Sequence, residues 1–232
     1  LALDNPAPGH YEQAAGSWWD ALCTALNALV REVDPGRIAS LAIANQRETF
    51  VPLGEDGTPL RPAIIWVDER CRSDVAPLAD KVGRVRIHGI SGKPADVTPV
   101  CYRLAWMRRM EPDLYRRIAR IADVQTYLVH CLTGHFRTGT ASADPLGLYD
   151  MAKGGWSETI LHALDLTSAQ MPDTELPGSV LGTVSDTAAK VTGLKPGTPV
   201  VAGGGDGQAA GLGVNALSAR RAYLNLGTAA VS

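Results

Sequence analysis

The stretch that decides the fold is TPVVAGGGDGQAAGLG, residues 198–213. An apolar strand at residues 200–202 meets three glycines, then a single acid, Asp206, and then small residues typical of a helix. Glycine has no Cβ, so backbone or ligand can approach closely at residues 203–205. Open α/β sheets bind ligands beyond the carboxyl ends of their strands, which is where we expect Asp206. Two interpretations stay open: Asp206 is a general base aimed into a cleared space, or it is only the N-cap of the following helix.

Strand and helix patterns alternate along the rest of the chain. Short apolar strands are predicted at residues 38–44, 50–53, 64–66 and 220–226, with a hairpin turn at 55–57. Helices are predicted over residues 18–30, 69–81, 101–110, 112–121, 124–132, 157–164, 185–193 and 206–215. Ser17, Ser157 and Ser185 are the expected N-caps. The alternation favours an α/β fold in which helices flank a sheet.

Composition excludes several classes of protein. The chain has 232 residues, 45% of them hydrophobic, which allows one large α/β domain or one domain plus part of another. A net charge of −2 with scattered acids and bases predicts no nucleic-acid partner and no membrane surface patch. No segment is apolar for long enough to span a bilayer and no signal peptide is visible, so we expect a cytoplasmic protein.

Cysteine and histidine spacing gives no sign of a metal site. The four cysteines are far apart, with no CxxC, and reduced core thiols are favoured over disulfides or metal ligands. The five histidines also lack ligand spacing. The chain starts at Leu1 without a methionine and stops at Ser232 just after a strand-like run, which suggests a piece of a longer protein.

Polar residues just beyond the strand at 38–44 are candidates for ligand binding. Arg47 offers a rigid donor fork and Glu48 an acceptor, and together they can hold vicinal hydroxyls. The alternative is a surface salt bridge, although adjacent residues of a continuing strand point to opposite faces. Trp66 could stack on a sugar face or belong to the core. Gly227 and Thr228 could offer donors to a phosphate, or simply form a turn.

The glycine run does not match other common site motifs. It is neither GxGxxG nor a Walker A loop, since no Gly-Lys-Ser/Thr follows. A Rossmann-type oxidoreductase is therefore poorly supported. The serines and histidines show no G-x-S-x-G setting, so a hydrolase triad is poorly supported too.

Together, these segments resemble the FGGY carbohydrate kinases, sugar and polyol kinases of the actin-like ATPase superfamily. Three blocks carry the resemblance: IANQRETFVPLGEDGTPLRPAIIWVDERC (43–71), TPVVAGGGDGQAAGLG (198–213) and AYLNLGTAAVS (222–232). The segment PGHYEQAAGSWWDAL, residues 8–22, is similar to an early helix of that family. The resemblance implies an actin-like ATPase (ribonuclease H-like) domain, an α/β fold with a mixed sheet flanked by helices.

The resemblance also implies an activity, ATP-dependent phosphorylation of a sugar or polyol hydroxyl with Mg²⁺, and roles for particular residues. Asp206 matches the catalytic base. Arg47, Glu48 and Trp66 match substrate-binding residues, and Gln208 is placed beside them as a further substrate contact. Gly227 and Thr228 match a loop that meets the nucleotide phosphates.

Subfamily and organisation follow from the same resemblance. The NQRET motif resembles glycerol kinases, whereas Thr98 stands where their pocket tyrosine is expected. The GGGDG form is more similar to xylulose and other pentulose kinases, so a pentulose such as xylulose is the expected substrate and glycerol the alternative. We expect a substrate-binding domain over residues 1–217, lacking its first strand and phosphate loop, the start of a nucleotide-binding domain at 218–232, and assembly as a homodimer. A non-catalytic sugar-binding fragment is the remaining alternative.

Overall fold

The computed structural model describes residues 1–218, 220–226 and 230–231. Its strands are β1 (Glu12–Gln13), β2 (Leu41–Ala42), β3 (Phe50–Leu53), β4 (Ala63–Ile64), β5 (Arg120–Asp123), β6 (Arg137–Gly139), β7 (Tyr149–Asp150), β8 (Gly155–Trp156), β9 (Asp173–Glu175), β10 (Val180–Thr183), β11 (Pro199–Val201), β12 (Asn225–Leu226) and β13 (Ala230–Val231). Its α-helices are α1 (Ala15–Leu29), α2 (Arg72–Val82), α3 (Arg84–Ser91), α4 (Val100–Met110), α5 (Pro112–Tyr115), α6 (Val124–Thr133), α7 (Thr140–Ala143), α8 (Glu158–Ala163), α9 (Asp186–Thr192) and α10 (Asp206–Gly213).

A four-stranded antiparallel sheet forms the centre of the molecule. Its strands lie in the order β1-β4-β3-β5, and β3 pairs with β5 along its whole length, from Phe50 opposite Asp123 to Leu53 opposite Arg120. Side chains alternate between the two faces of a strand. Both faces of β3 are buried, which explains why this strand is an unbroken apolar run.

Two hydrophobic cores lie on opposite faces of this sheet. Phe50 of β3 belongs to the first core, with Leu78 of α2 and Met107 of α4. Val51, the next residue of β3, belongs to the second core, which includes Leu132 of α6. The sheet is therefore the middle layer between two sets of helices, as an α/β fold requires.

A second, mixed sheet has the order β10-β11-β2. Strand β11 pairs antiparallel with β10 and parallel with β2, where Leu41 lies opposite Val200 and Ala42 opposite Val201. Parallel neighbours end at the same edge of a sheet, so the residues that follow β2 and β11 come together there. Those residues include the glycine run.

Three predictions about local structure are wrong. Of the strand predicted over residues 220–226, only Asn225–Leu226 forms a strand, β12. The predicted helix over 112–121 stops at Tyr115, and residues 120–123 form β5, because pairing with β3 outweighs local helix preference. Ser17 does not cap α1, which begins two residues earlier at Ala15; the Ser17 hydroxyl donates to the Ala14 carbonyl at 2.7 Å.

Two predicted helix caps and the predicted fold class are confirmed. Ser157 and Ser185 cap α8 and α9, each accepting a backbone N–H through its side chain. The mixed α/β architecture also holds. All four cysteines are free thiols. None of the helices in the described part of the chain combines the length and apolar character needed to cross a bilayer.

Candidate functional site

The candidate site lies where β2 and β11 end side by side. Beyond the paired residues Ala42 and Val201, the next bridge joins Asn45 to Gly205. Residues 43–44 therefore face three residues, 202–204, on the neighbouring segment. This extra residue falls in the glycine run, which bulges as it leaves the sheet.

Two of the glycines are required by close contacts. A Cβ on Gly203 would lie 2.2 Å from the carbonyl oxygen of Ile43, well inside van der Waals contact. A Cβ on Gly205 would lie 2.3 Å from Cδ of Arg47. The absence of Cβ atoms thus lets the two segments approach and lets the Arg47 side chain cross directly over the loop.

Asn45 connects the two segments and holds the start of α10. Its N–H donates to the Gly204 carbonyl, and its own carbonyl accepts the N–H of Asp206, both at 3.2 Å. The buried Asn45 side chain accepts a hydrogen bond from the Ser142 hydroxyl at 3.1 Å. The backbone of Asp206 is therefore fixed by a buried polar residue that the sequence reasoning did not single out.

Asp206 is the first residue of α10, and Gly205 is its N-cap, so the interpretation of Asp206 as the N-cap is wrong. The carboxylate accepts the N–H of Gly207 at 3.0 Å and is exposed. A helix N-terminus favours negative charge at this position. The exposed carboxylate can therefore meet an incoming ligand.

Gln208, predicted to bind substrate, has a structural contact as well. Its side-chain oxygen accepts the N–H of Gly205 at 2.9 Å and so satisfies one of the free donors at the start of α10. Gln208 as a whole residue is exposed. The loop contact explains part of the position of Gln208 and leaves its substrate role a prediction.

Arg47 and Glu48 do not pair with each other. Arg47 Nη2 donates to both carboxylate oxygens of Asp144, at 2.8 and 3.0 Å. Glu48 has a left-handed backbone conformation with φ of 50°. Its side chain therefore does not follow the alternation of side chains along a regular strand. Burial raises the pKa of Glu48, while the nearby positive charges of Arg47, Arg103 and Lys93 act in the opposite direction.

Asp144 and Lys93 are site residues that the sequence reasoning missed. Lys93 Nζ donates to Oδ2 of Asp144, so one carboxylate is shared between two cations. In the sequence Asp144 is only one scattered acid before a proline, and Lys93 lies in an unremarked loop. Neither position carries a motif signal.

Arg103 joins three segments around the site. Its side chain is 0% exposed and donates to the carbonyls of Glu48 at 2.7 Å and Ile65 at 2.6 Å, and also to that of Thr98. Trp66 follows Ile65 directly and is 41% exposed, so it is not a core residue. The sequence does carry one signal for the role of Arg103, because it is the only charged residue in the apolar run VCYRLAW, residues 100–106.

Two of the predicted site residues lie in a part of the chain that the structure does not describe. Gly227 and Thr228 lie outside the described residues. Within residues 1–218, 220–226 and 230–231, no group of three or more His, Cys, Asp or Glu side chains could hold a metal ion.

The fold is that of an α/β domain, with the candidate site at the ends of the parallel strands β2 and β11. The N-terminal domain of the FGGY family of carbohydrate kinases matches residues 1–213. The chain belongs to this family, whose fold is that of the actin-like ATPases.

Individual relatives support this assignment. The chain is 34% identical to a xylulose kinase of Escherichia coli K12 over 234 residues, which is 100% of this chain and 47% of that protein. It is 29% identical to an autoinducer-2 kinase of Escherichia coli SMS-3-5 over 212 residues, covering 89% of this chain and 40% of that protein.

A solved structure shows the same fold. The crystal structure of ligand-bound xylulose kinase from Lactobacillus acidophilus superimposes with a TM-score of 0.92 at 24% identity, covering 99% of this chain and 46% of that chain. The chain therefore spans about half the length of the relatives that it matches.

Proposed function

We propose that the protein transfers the γ-phosphoryl group of Mg-ATP to a hydroxyl of a pentulose such as xylulose. Membership of the carbohydrate kinase family supports the reaction class. The similarity to a relative named xylulose kinase, across this whole chain, supports the pentulose. The observation that carries the proposal is the exposed Asp206 carboxylate, whose backbone Asn45 holds at the start of α10, next to the Arg47 side chain that crosses Gly205.

In this proposal one residue of the site accepts the proton and the others bind the sugar. The Asp206 carboxylate accepts the proton of the attacking hydroxyl as the phosphoryl group arrives. Arg47 and Glu48 hold neighbouring hydroxyls, Trp66 covers a C–H face of the sugar, and Gln208 donates from its amide.

The nucleotide lies on the other side of the same cleft. Gly227 and Thr228 contact the phosphates of Mg-ATP, in a nucleotide-binding domain that begins at residues 218–232. Residues 1–217 are the substrate-binding domain. Closure of the two domains excludes water and so limits ATP hydrolysis. Two copies associate as a homodimer.

A coupled ADP-release screen of the full-length protein tests the proposal. The panel contains xylulose, ribulose, glycerol and autoinducer-2, each at several concentrations with Mg-ATP. We expect the highest kcat/KM for xylulose. Turnover of glycerol alone would favour the glycerol kinase alternative. The NQRET motif at residues 45–49, which resembles that of glycerol kinases, supports this alternative. Binding of a sugar by calorimetry without ADP release would instead indicate a non-catalytic sugar-binding protein.

A further inference from the structure

We infer that Asp144 and Lys93 are part of the acceptor-sugar site: Asp144 positions the Arg47 guanidinium, and the three side chains together select a neutral polyhydroxy substrate. The inference rests on the proposed function. It begins from the ion pairs of the Asp144 carboxylate, which accepts from Arg47 through both oxygens and from Lys93 through one of them.

The placement of Asp144 follows from the packing of α7 on the glycine run. Ser142 of α7 donates to the buried side chain of Asn45, and Ala141 lies 3.6 Å from the point where Gly204 would carry a Cβ. Asp144 follows α7 directly and is mostly buried, with 14% of its side chain exposed. The carboxylate therefore lies on the same side of the glycine run as the Arg47 side chain that crosses Gly205.

Asp144 fixes one part of the Arg47 donor fork and leaves another part free. Nη2 is held by both carboxylate oxygens at 2.8 and 3.0 Å. Nε of Arg47 is buried and has no hydrogen-bond partner among the described residues. Because Nε is enclosed by protein atoms, a ligand hydroxyl reaches the guanidinium through its solvent-accessible part, and the Arg47 side chain is 23% exposed. Asp144 thus acts through Arg47, as a positioning residue.

The charges of the cluster indicate the class of ligand. Three positive charges meet three carboxylates here: those of Arg47, Lys93 and Arg103, and those of Asp144, Glu48 and Asp206. A site whose charges cancel gives no net attraction to a sugar acid or sugar phosphate. Its alternating donors and acceptors instead suit hydroxyl groups, which both donate and accept. The ligand class is therefore a neutral ketose or polyol.

Two substitutions in the full-length protein test the inference, Asp144→Asn and Lys93→Met. The control is Asp74→Asn on α2, which is also a mostly buried aspartate paired with an arginine, Arg109. For xylulose we expect Asp144→Asn to raise KM at least about tenfold, the effect of losing one good charge-assisted hydrogen bond. The KM for ATP should stay within about twofold, because the residue acts on the acceptor.

Charge selectivity gives a second readout that a merely structural role would not move. Asp144→Asn removes one negative charge, so the affinity for xylonate relative to xylulose, measured by calorimetry, should rise, whereas Lys93→Met should lower it. Asp74→Asn should change neither ratio. Thermal unfolding of all three variants checks that the fold is retained.

The outcomes separate this inference from the proposed function. Wild-type protein that neither phosphorylates nor binds any sugar of the panel would overturn both. Wild-type turnover with an unchanged xylulose KM and an unchanged xylonate-to-xylulose ratio in Asp144→Asn would overturn the inference alone. Equal rises in the KM for xylulose and for ATP would also overturn it, since they would indicate a general disturbance of the fold.

Discussion

At the residue scale, Asp206 shows how a local contact and a proposed chemical role can share one position. Its backbone N–H is held by the Asn45 carbonyl at 3.2 Å, while its carboxylate is exposed and accepts only the neighbouring Gly207 N–H among the described residues. Gly205 is the N-cap residue of α10, and its N–H is satisfied by the Gln208 side chain. The carboxylate therefore has one contact with the first turn of α10, through the Gly207 N–H, and is otherwise exposed to a ligand.

The proposed base role makes Asp206→Asn the first prediction. Asparagine keeps the size of the side chain but cannot take a proton, so kcat should fall by about 10²- to 10⁴-fold. Stability should change little because the side chain is exposed. Steady-state ADP release and thermal unfolding measure the two effects. Near-normal kcat in a folded variant would exclude the base role.

Glu48 leads to a prediction about pH. Burial raises its pKa above the ordinary value of 4.5, so the folded state releases this proton at a higher pH than the unfolded state. As pH rises through 4.5 and then through the folded-state pKa, ionisation of the unfolded state lowers the free energy of unfolding. Glu48→Gln should therefore be more stable than the parent at pH 7, and this advantage should vanish below pH 4.5.

Denaturant unfolding between pH 4 and pH 7 measures this difference. The control is Glu32→Gln, at an exposed position outside the site, which should leave stability nearly unchanged. A constant difference between Glu48→Gln and the parent over the whole range would contradict the prediction.

At the element scale, the close approach of β2 and β11 depends on Gly203. In Gly203→Ala the new Cβ would lie 2.2 Å from the Ile43 carbonyl oxygen, and because the Ile43 atoms that it meets are backbone, the strand ends must separate. We expect a loss of about 1–3 kcal/mol in the free energy of unfolding. Gly89→Ala in α3, where nothing lies within 4 Å of the new Cβ, should instead gain about 0.5–1 kcal/mol. Urea unfolding measures the change in the free energy of unfolding for both variants. Equal changes in the two variants would contradict the prediction that Gly203 is needed for close packing.

Arg103 on α4 holds three segments together, and this leads to a prediction about stability. In Arg103→Met the carbonyls of Glu48, Ile65 and Thr98 lose their buried donor, so we expect a loss of about 3–5 kcal/mol. Arg109→Met on the same helix removes a pair with Asp74 in which the arginine is half exposed, and should cost about 1 kcal/mol or less. Chemical denaturation measures both. A similar small loss for the two variants would show that the three carbonyls need no shared donor.

The elements that the sequence predicted well are those with local signals. The caps Ser157 and Ser185 and the glycine run meeting a helix at Asp206 carry such signals. Strand β5 does not, because its conformation depends on pairing with β3, about seventy residues earlier in the chain. Asp144 could not be predicted as a site residue for the same reason. Its contacts are with Arg47 and Lys93, which are both distant in the sequence.

At the scale of the whole molecule, the central sheet couples the two cores. Alternate residues of β3, β4 and β5 enter opposite cores: Phe50, Ile64 and Ile121 pack in the first, and Val51, Ala63 and Ala122 in the second. If the sheet separated from one core, its strands would also have to leave the other core, and the apolar side chains of both would be exposed. We therefore expect the two cores to unfold as one cooperative unit.

The cysteines provide a probe for each core. Cys101 is buried in the first core, and Cys131 is partly buried against the second, where burial raises its pKa to about 11. Cys23 is partly exposed, and burial and the charge of Asp20 raise its pKa. At pH 8, thiol labelling of the native protein should therefore modify Cys23 first and Cys101 last.

Labelling along a denaturant series, read cysteine by cysteine with mass spectrometry, tests the coupling of the cores. Because β3, β4 and β5 contribute to both cores, Cys101 and Cys131 should become reactive with the same denaturant midpoint. Cys23 should react below that midpoint, and Cys23→Ser should remove this early phase while leaving the shared midpoint in place. Two separate midpoints for Cys101 and Cys131 would mean that the sheet stays with one core while the other opens. The site residues that follow β2 and β11 would then belong to the second core, which already contains Val200 and Ala202.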